Sequence, residues 1–200
     1  LKDGVTGDEI KIDYMMSEGG TGSSQSGVQT VTFADGATLT AQQLRDLADT
    51  ASATNTTLYG FRTAGTFIYA AGSGQIEIHE DAGWATGTTA TLELGAGIDE
   101  AQISVTSDSS GDVYLSDGIA GDQIKLDLMM DTDSGAHEYG VGEVVFADGT
   151  VWSGQHLIDL ATTGSPTKTA LYGTAYAETF DGKGYATYEQ GNGGADTFIY

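Results

Sequence analysis

Two hundred residues, 39% of them apolar, are enough for one large domain or two small ones with a substantial core. Seven lysines and arginines against 29 acidic residues leave a net charge of −22, which argues against nucleic acid and anionic membranes as partners and makes cations the expected ones. The lack of cysteine excludes disulfides and thiolate metal sites and is compatible with an oxidising extracellular space, while no apolar run approaches the roughly 18 residues of a membrane span. Thirty glycines beside a single proline, Pro166, point to many tight turns between short strands, so the expected class is all-β.

The opening stretch LKDGVTGDEI has no basic, apolar leader. Ile10, Ile12, Tyr14 and Met16 then alternate with Lys11, Asp13 and Met15, the period-two pattern of a half-buried strand. Asp35-Gly36 is a hairpin-turn signal joining VTF to ATL. Thr40 followed by Gln43 reads as a capping box for a short helix whose apolar face is Leu44, Leu47 and Ala48. LYGFRTAGTFIY (58–69) closes this part, and strand alternation resumes at Ile76 and Ile78, at Leu92 and Leu94, and at Ile103 and Val105.

From Leu115 the sequence repeats itself. LSDGIAGDQIKLDLMM (115–130) matches residues 1–16 at ten of sixteen positions, and VGEVVFADGTVWSGQHLIDLATT (141–163) matches 28–50 at twelve of twenty-three. Ile124, Leu126, Leu128 and Met130 renew the strand pattern, Asp148-Gly149 the hairpin turn, and Ser153 the helix cap, with His156 in place of the glutamine. The expected organisation is a first unit over 1–69 with a shortened glycine-rich tail, a connecting β segment over 70–114, and a second unit over 115–200 whose tail spans 173–199. Such a duplication is what a window on a longer tandem array looks like.

The second tail falls into nine-residue blocks: GTAYAETFD (173–181), GKGYATYEQ (182–190) and GNGGADTFI (191–199). Position six holds Glu178, Thr187 and Asp196, and position eight holds Phe180, Glu189 and Phe198. These blocks resemble the glycine-rich nonapeptide of RTX (haemolysin-type calcium-binding) repeat proteins, G-G-x-G-x-D-x-U-x. The flanking GDQIKL and FADGTVW stretches are similar to the related region that accompanies such repeats in bacterial secreted proteins. The resemblance implies a parallel β-roll, a β-solenoid in which two nonapeptides make one coil, with flanking β-strand units and one short helix per repeat. It also implies calcium between turns on one side, held by glycine-loop carbonyls and position-six carboxylates. Carried onto this chain, the ligands are Glu178 and Asp196 with the backbone of Gly173, Ala175, Gly191 and Gly193. Tyr176 and Tyr185 depart from the pattern where the family has glycine, and Thr187 lacks a carboxylate.

Calcium chemistry agrees with that choice, since the ion takes six to eight hard oxygens and glycine loops expose carbonyls at close approach. Residues eighteen apart stack if nine make half a coil, and Glu178 and Asp196 are such a pair. The first tail, aligned on TFIY, has Gly65 in the place of Asp196, and the LYG-to-TFIY span is eighteen residues shorter than in the second. That is one coil's length.

Other candidates are weaker. His79 stands beside Glu80 and Asp81, which could share a transition metal, but it falls on the polar face of an alternating strand, where a solvated side chain is the favoured reading. His156 and Asp159 are three apart on the second helix, and His137 lies in a variable linker. Tyr172, Tyr176, Tyr185 and Tyr188 offer a sugar-binding surface or, the favoured use, packing between coils. No nucleophile elbow, P-loop or dinucleotide glycine pattern occurs, so no enzyme activity is expected. The expected function is a calcium-binding structural or adhesive module of a large secreted or cell-surface bacterial protein (adhesin, extracellular fibre or surface layer), exported without a cleaved N-terminal signal. Its expected partners are calcium ions, other copies of itself in an array or filament, and surface polysaccharide. The alternative is an accessory export, folding or polysaccharide-binding domain of a secreted enzyme.

Overall fold

The computed structural model describes residues 10–12, 28–60, 65–80, 90–131 and 139–200. It divides into two compact units, Leu1–Ala48 and Asp49–Tyr200. Fifteen short strands and two helices among the described residues make it a mostly β protein.

In the first unit, β1 (Thr30–Thr32) and β2 (Thr38–Thr40) form an antiparallel hairpin that runs into helix α1 (Ala41–Ala48). Gly36 makes the turn possible at φ +88°, where its N–H donates to Phe33 O, and Asp35 Oδ1 accepts from Ala37 N. The capping box forms as expected: Thr40 Oγ1 accepts from Gln43 N and Gln43 Oε1 from Thr40 N. Leu44 is buried, but Leu47 is 55% exposed, so the apolar face is narrower than its sequence suggests. Of the strand expected over 10–16, only residues 10–12 are described; they are not a strand, and Ile10 is exposed.

The second unit begins with β3 (Thr57–Tyr59), β4 (Thr66–Tyr69), β5 (Gln75–His79) and β6 (Thr91–Leu94). It continues through a 3-10 turn (Glu100–Gln102) into β7 (Ser104–Ser107), β8 (Val113–Ser116), β9 (Gln123–Leu126), β10 (Glu143–Val145) and β11 (Val151–Ser153). The order β3-β5-β9-β8-β7 makes one sheet and β11-β10-β6-β4 another. In both, the pairs β3–β5, β5–β9, β4–β6 and β6–β10 are parallel, so the chain steps from one sheet to the other and back, adding to each in turn. The antiparallel strands β7, β8 and β11 attach at the sides of β9 and β10.

Alternation sorts the side chains into two facing rows. Leu58, Ile78 and Leu126 are direct neighbours across β3, β5 and β9, and Phe67, Leu92 and Val144 across β4, β6 and β10. All six are buried in one core cluster. Because each row is a line of cross-strand partners, every added strand extends the same apolar seam. Helix α2 (Gly154–Ala161) follows β11, with Ser153 Oγ accepting from His156 N as its cap and Leu157, Ile158 and Ala161 buried.

One strand is shorter than its pattern predicts. β9 stops at Leu126, and residues 127–130 form a turn with Leu128 at φ +52°. Leu128 N donates to Asp112 Oδ1 and Met130 N to Gly111 O, so the ladder partners expected of a strand are replaced by the β7–β8 connection. Met129 and Met130 are both buried, which breaks the alternation.

The remaining strands are β12 (Ala170–Tyr172), β13 (Thr179–Asp181), β14 (Tyr188–Gln190) and β15 (Thr197–Ile199). β12 pairs with β14 and β13 with β15, both in parallel, each partner eighteen residues on. Phe180 and Phe198 are opposite each other with their rings stacked at 4.8 Å, as the nine-residue register requires.

The two halves share more than their sequence identities suggest. Thr50 bridges Ile68 in parallel and Thr163 bridges Asp181 in parallel; Gly60 N donates to His79 O, and Gly173 N to Gln190 O. On these contacts Phe67 takes the place of Phe180, and β5 and β6 take the places of β14 and β15. Strands β5 and β6 therefore continue the first set much as β14 and β15 continue the second. The strand spacing differs, at twenty and twenty-five residues in the first set against eighteen in the second.

Candidate cation site between stacked turns

The turn 173–178 leads from β12 to β13, and the turn 191–196 leads from β14 to β15. Since both strand pairs are in register at eighteen residues, the turns lie one over the other. A Cβ on Gly193 would sit 3.3 Å from Ala175 Cα, and one on Gly173 would sit 3.1 Å from Gly191 O. A side chain at Gly191 would collide with the Asp196 carboxylate, and one at Gly173 would come 2.7 Å from Glu178 Oε2. The glycines are thus needed for close approach, and of the sequence-derived positions Gly173 meets Gly191, Ala175 meets Gly193 and Glu178 meets Asp196 across the two turns.

The acids are held by backbone amides. Asp196 Oδ1 accepts from Glu178 N at 3.1 Å, and Glu178 accepts from Thr174 N at 3.0 Å and from the Thr174 hydroxyl. Asn192 Nδ2 donates to Gly173 O. Glu178 is 7% exposed. Burial pushes its carboxyl above the usual range, the Thr174 hydrogen bonds oppose that, and the negative charge of Asp196 adds to it. Two neighbouring carboxylates, one of them buried, and carbonyl-bearing glycine turns suit a hard divalent cation in charge and donor type. Thr187 has no such role, since its hydroxyl donates to Thr169 O.

The earlier strands carry a related arrangement that sequence reasoning missed. Gly65 takes the position of Glu178 without a carboxylate, but the buried Glu80 places its carboxylate against Gly60, where a Cβ would strike it, as Asp196 does at Gly191. Glu80 follows β5 directly, so only the pairing of β3 with β5 brings it there.

A second polar centre lies on β5 and β9. Lys125 Nζ donates to Glu77 Oε1 (2.7 Å), Asp112 Oδ2 (2.8 Å) and Asp127 Oδ1 (3.0 Å). His79 Nδ1 lies 2.8 Å from Asp127 Oδ2 and its Nε2 3.4 Å from Glu77 Oε2. His79 is therefore partly solvated and also paired, and its partners are Glu77 and Asp127 rather than its neighbour Glu80; Asp81 lies outside the described residues. Alternation already places Glu77 with His79, and Lys125 with Asp127, on one face each; the missing information was the β5–β9 register. His156 and Asp159 do not converge, as His156 packs edge-on to Trp152 and Asp159 accepts from Gln155. His137 lies outside the described residues. Of the tyrosines, Tyr172 and Tyr188 pack together at 5.7 Å, while Tyr185 is exposed.

Lys168 gives a separate, testable feature. Its Nζ donates to Val105 O (2.7 Å) and Leu160 O (2.5 Å), and burial pulls its pKa down to about 8. Between pH 8 and about 10.4, the ordinary lysine value, the unfolded chain keeps a proton that the folded chain has lost. Stability from this group should rise across that window. Urea unfolding at pH 7.5 and 9.5 should show wild type gaining on Lys168→Met; a constant difference would mean the ammonium is not desolvated.

No family model, curated protein or solved structure matches this chain.

Proposed function

We propose that this chain is a non-catalytic, calcium-binding structural or adhesive module of a large secreted or cell-surface bacterial protein, and that residues 173–199 are a parallel β-roll. The observation that carries this reading is the in-register eighteen-residue stacking that brings Glu178, Asp196 and the glycine turns to one side. Glu178, Asp196 and the backbone of Gly173, Ala175, Gly191 and Gly193 would hold the ion. Bound calcium supplies positive charge that offsets the repulsion between the two carboxylates. What the chain itself contributes is position: Thr174 and the Glu178 amide fix the acids before any ion arrives.

The internal duplication supports an array of such modules, with other copies of the chain as its natural neighbours and surface polysaccharide as a possible target of the array. At −22 the folded state carries strong carboxylate repulsion that divalent ions relieve. Any ion that binds only the folded form stabilises it, by about 2.7 kcal/mol for one site at 100-fold excess over its dissociation constant. Thermal melts in chelator, calcium and magnesium should show a larger rise with calcium, because magnesium demands rigid octahedral shells and keeps its waters. Asp196→Ala should remove most of the calcium-specific gain and Glu178→Gln a smaller part. Equal shifts with both metals, unaltered in Asp196→Ala, would reduce the effect to screening of an acidic surface and sink the site.

A further inference from the structure

We infer that His79 and Glu77 form a second, chemically different metal site, selective for a d-block divalent ion such as zinc, with Asp127 as the positioning residue. Lys125 organises the carboxylates around it. Its ammonium has three hydrogens, and three carboxylate oxygens take them: Glu77 Oε1, Asp112 Oδ2 and Asp127 Oδ1. The oxygens left over on the two exposed-side acids, Glu77 Oε2 and Asp127 Oδ2, both face His79. Three carboxylates and one ammonium leave this cluster two negative charges in excess when the imidazole is neutral. A divalent cation balances it.

The geometry says where that ion goes. Asp127 Oδ2, 2.8 Å from Nδ1, is placed to hold a hydrogen on that nitrogen, and Nε2 then lies 3.4 Å from Glu77 Oε2 as the nitrogen open to a metal. A cation placed there meets one nitrogen donor and one oxygen donor at once. A zinc ion with bonds of about 2.0–2.2 Å to nitrogen and oxygen in tetrahedral geometry sets those ligand atoms about 3.3 Å apart. The carboxylate on the far ring nitrogen is the arrangement that orients and strengthens metal-bound histidine. Stacking on Tyr59, with centroids 5.0 Å apart and planes within 11°, fixes the ring. Glu77, His79 and Asp127 are each about one-quarter to one-third exposed, so water can complete the shell.

The site shares no residue with the Glu178–Asp196 turns, and imidazole suits zinc while calcium prefers oxygen. The test is zinc titration of the whole 200-residue chain by calorimetry in saturating calcium, which fills the hard-oxygen sites. Wild type should bind one zinc ion with an affinity at least tenfold above that of His79→Gln or Glu77→Gln, and Asp127→Asn should lose 10- to 100-fold. His137→Gln and His156→Gln should bind as wild type does. Ring-proton NMR of wild type serves as a readout independent of variant folding: the His79 signals should shift with zinc and return with chelator. Unshifted His79 signals at saturating zinc, or equal affinity in wild type and His79→Gln, would overturn the inference.

Discussion

Phe180→Ala should lower the unfolding free energy by about 3–5 kcal/mol, and Phe198→Ala by distinctly less, in urea unfolding monitored by circular dichroism. The two rings stack at 4.8 Å in equivalent positions of paired strands, yet their surroundings differ. Phe180 is fully buried, and its Cζ reaches to 2.6 Å from where a Gly173 Cβ would be. Truncation therefore opens a cavity directly under the acid-bearing turn. Phe198 is 39% exposed and loses less area and fewer partners. Phe67, which takes the corresponding position in the earlier strands and is also buried, should behave as Phe180 does. If Phe180→Ala and Phe198→Ala cost the same small amount, the seam between the two β layers does not stabilise the tail.

What was legible in the sequence was what depends on short-range pattern. The Asp-Gly hairpins, the Thr40–Gln43 and Ser153 caps, and the eighteen-residue register that stacks Phe180 on Phe198 each follow from residues a few positions apart or from the period of the glycines. Where pairing between distant strands decides the outcome, pattern was insufficient. The alternation through Leu128 and Met130 reads as strand, but Asp112, sixteen residues earlier, takes the Leu128 amide and turns the chain. The lost acid at Gly65 is offset by Glu80, which only the β3–β5 pairing delivers to Gly60. Likewise the polar face holding His79 reads as solvated until β9 brings Lys125 and Asp127 beside it; a charged face and an ion-pair network have the same one-strand pattern.

Lys125→Met should destabilise the protein by about 3 kcal/mol at pH 7, at the lower end of what removing one partner of a buried ion pair costs. Asp112, with only 8% of its side chain exposed, would keep a charge with no cation to balance it, whereas Glu77 and Asp127 reach water and relax more easily. The pH dependence identifies the cause. Burial pushes the Asp127 carboxyl up, but the Lys125 hydrogen bond and the charges of His79 and Lys125 outweigh it and hold it below the usual value. Lys125 goes the other way: burial disfavours its charge, and the three carboxylates more than reverse this, raising it above the ordinary lysine range. A depressed acid stabilises above its unfolded value near 4 and loses that contribution as pH falls through its folded one; a raised lysine stabilises below about 10.4. The gap between wild type and Lys125→Met should therefore be level from about pH 5 to 9 and narrow in acid. Lys183→Met, which removes the exposed pair with Asp181, should leave stability within measurement scatter at every pH. A Lys125→Met gap that persists undiminished at pH 3 would assign the loss to packing of the lysine stem between β5 and β9 instead of to its charge.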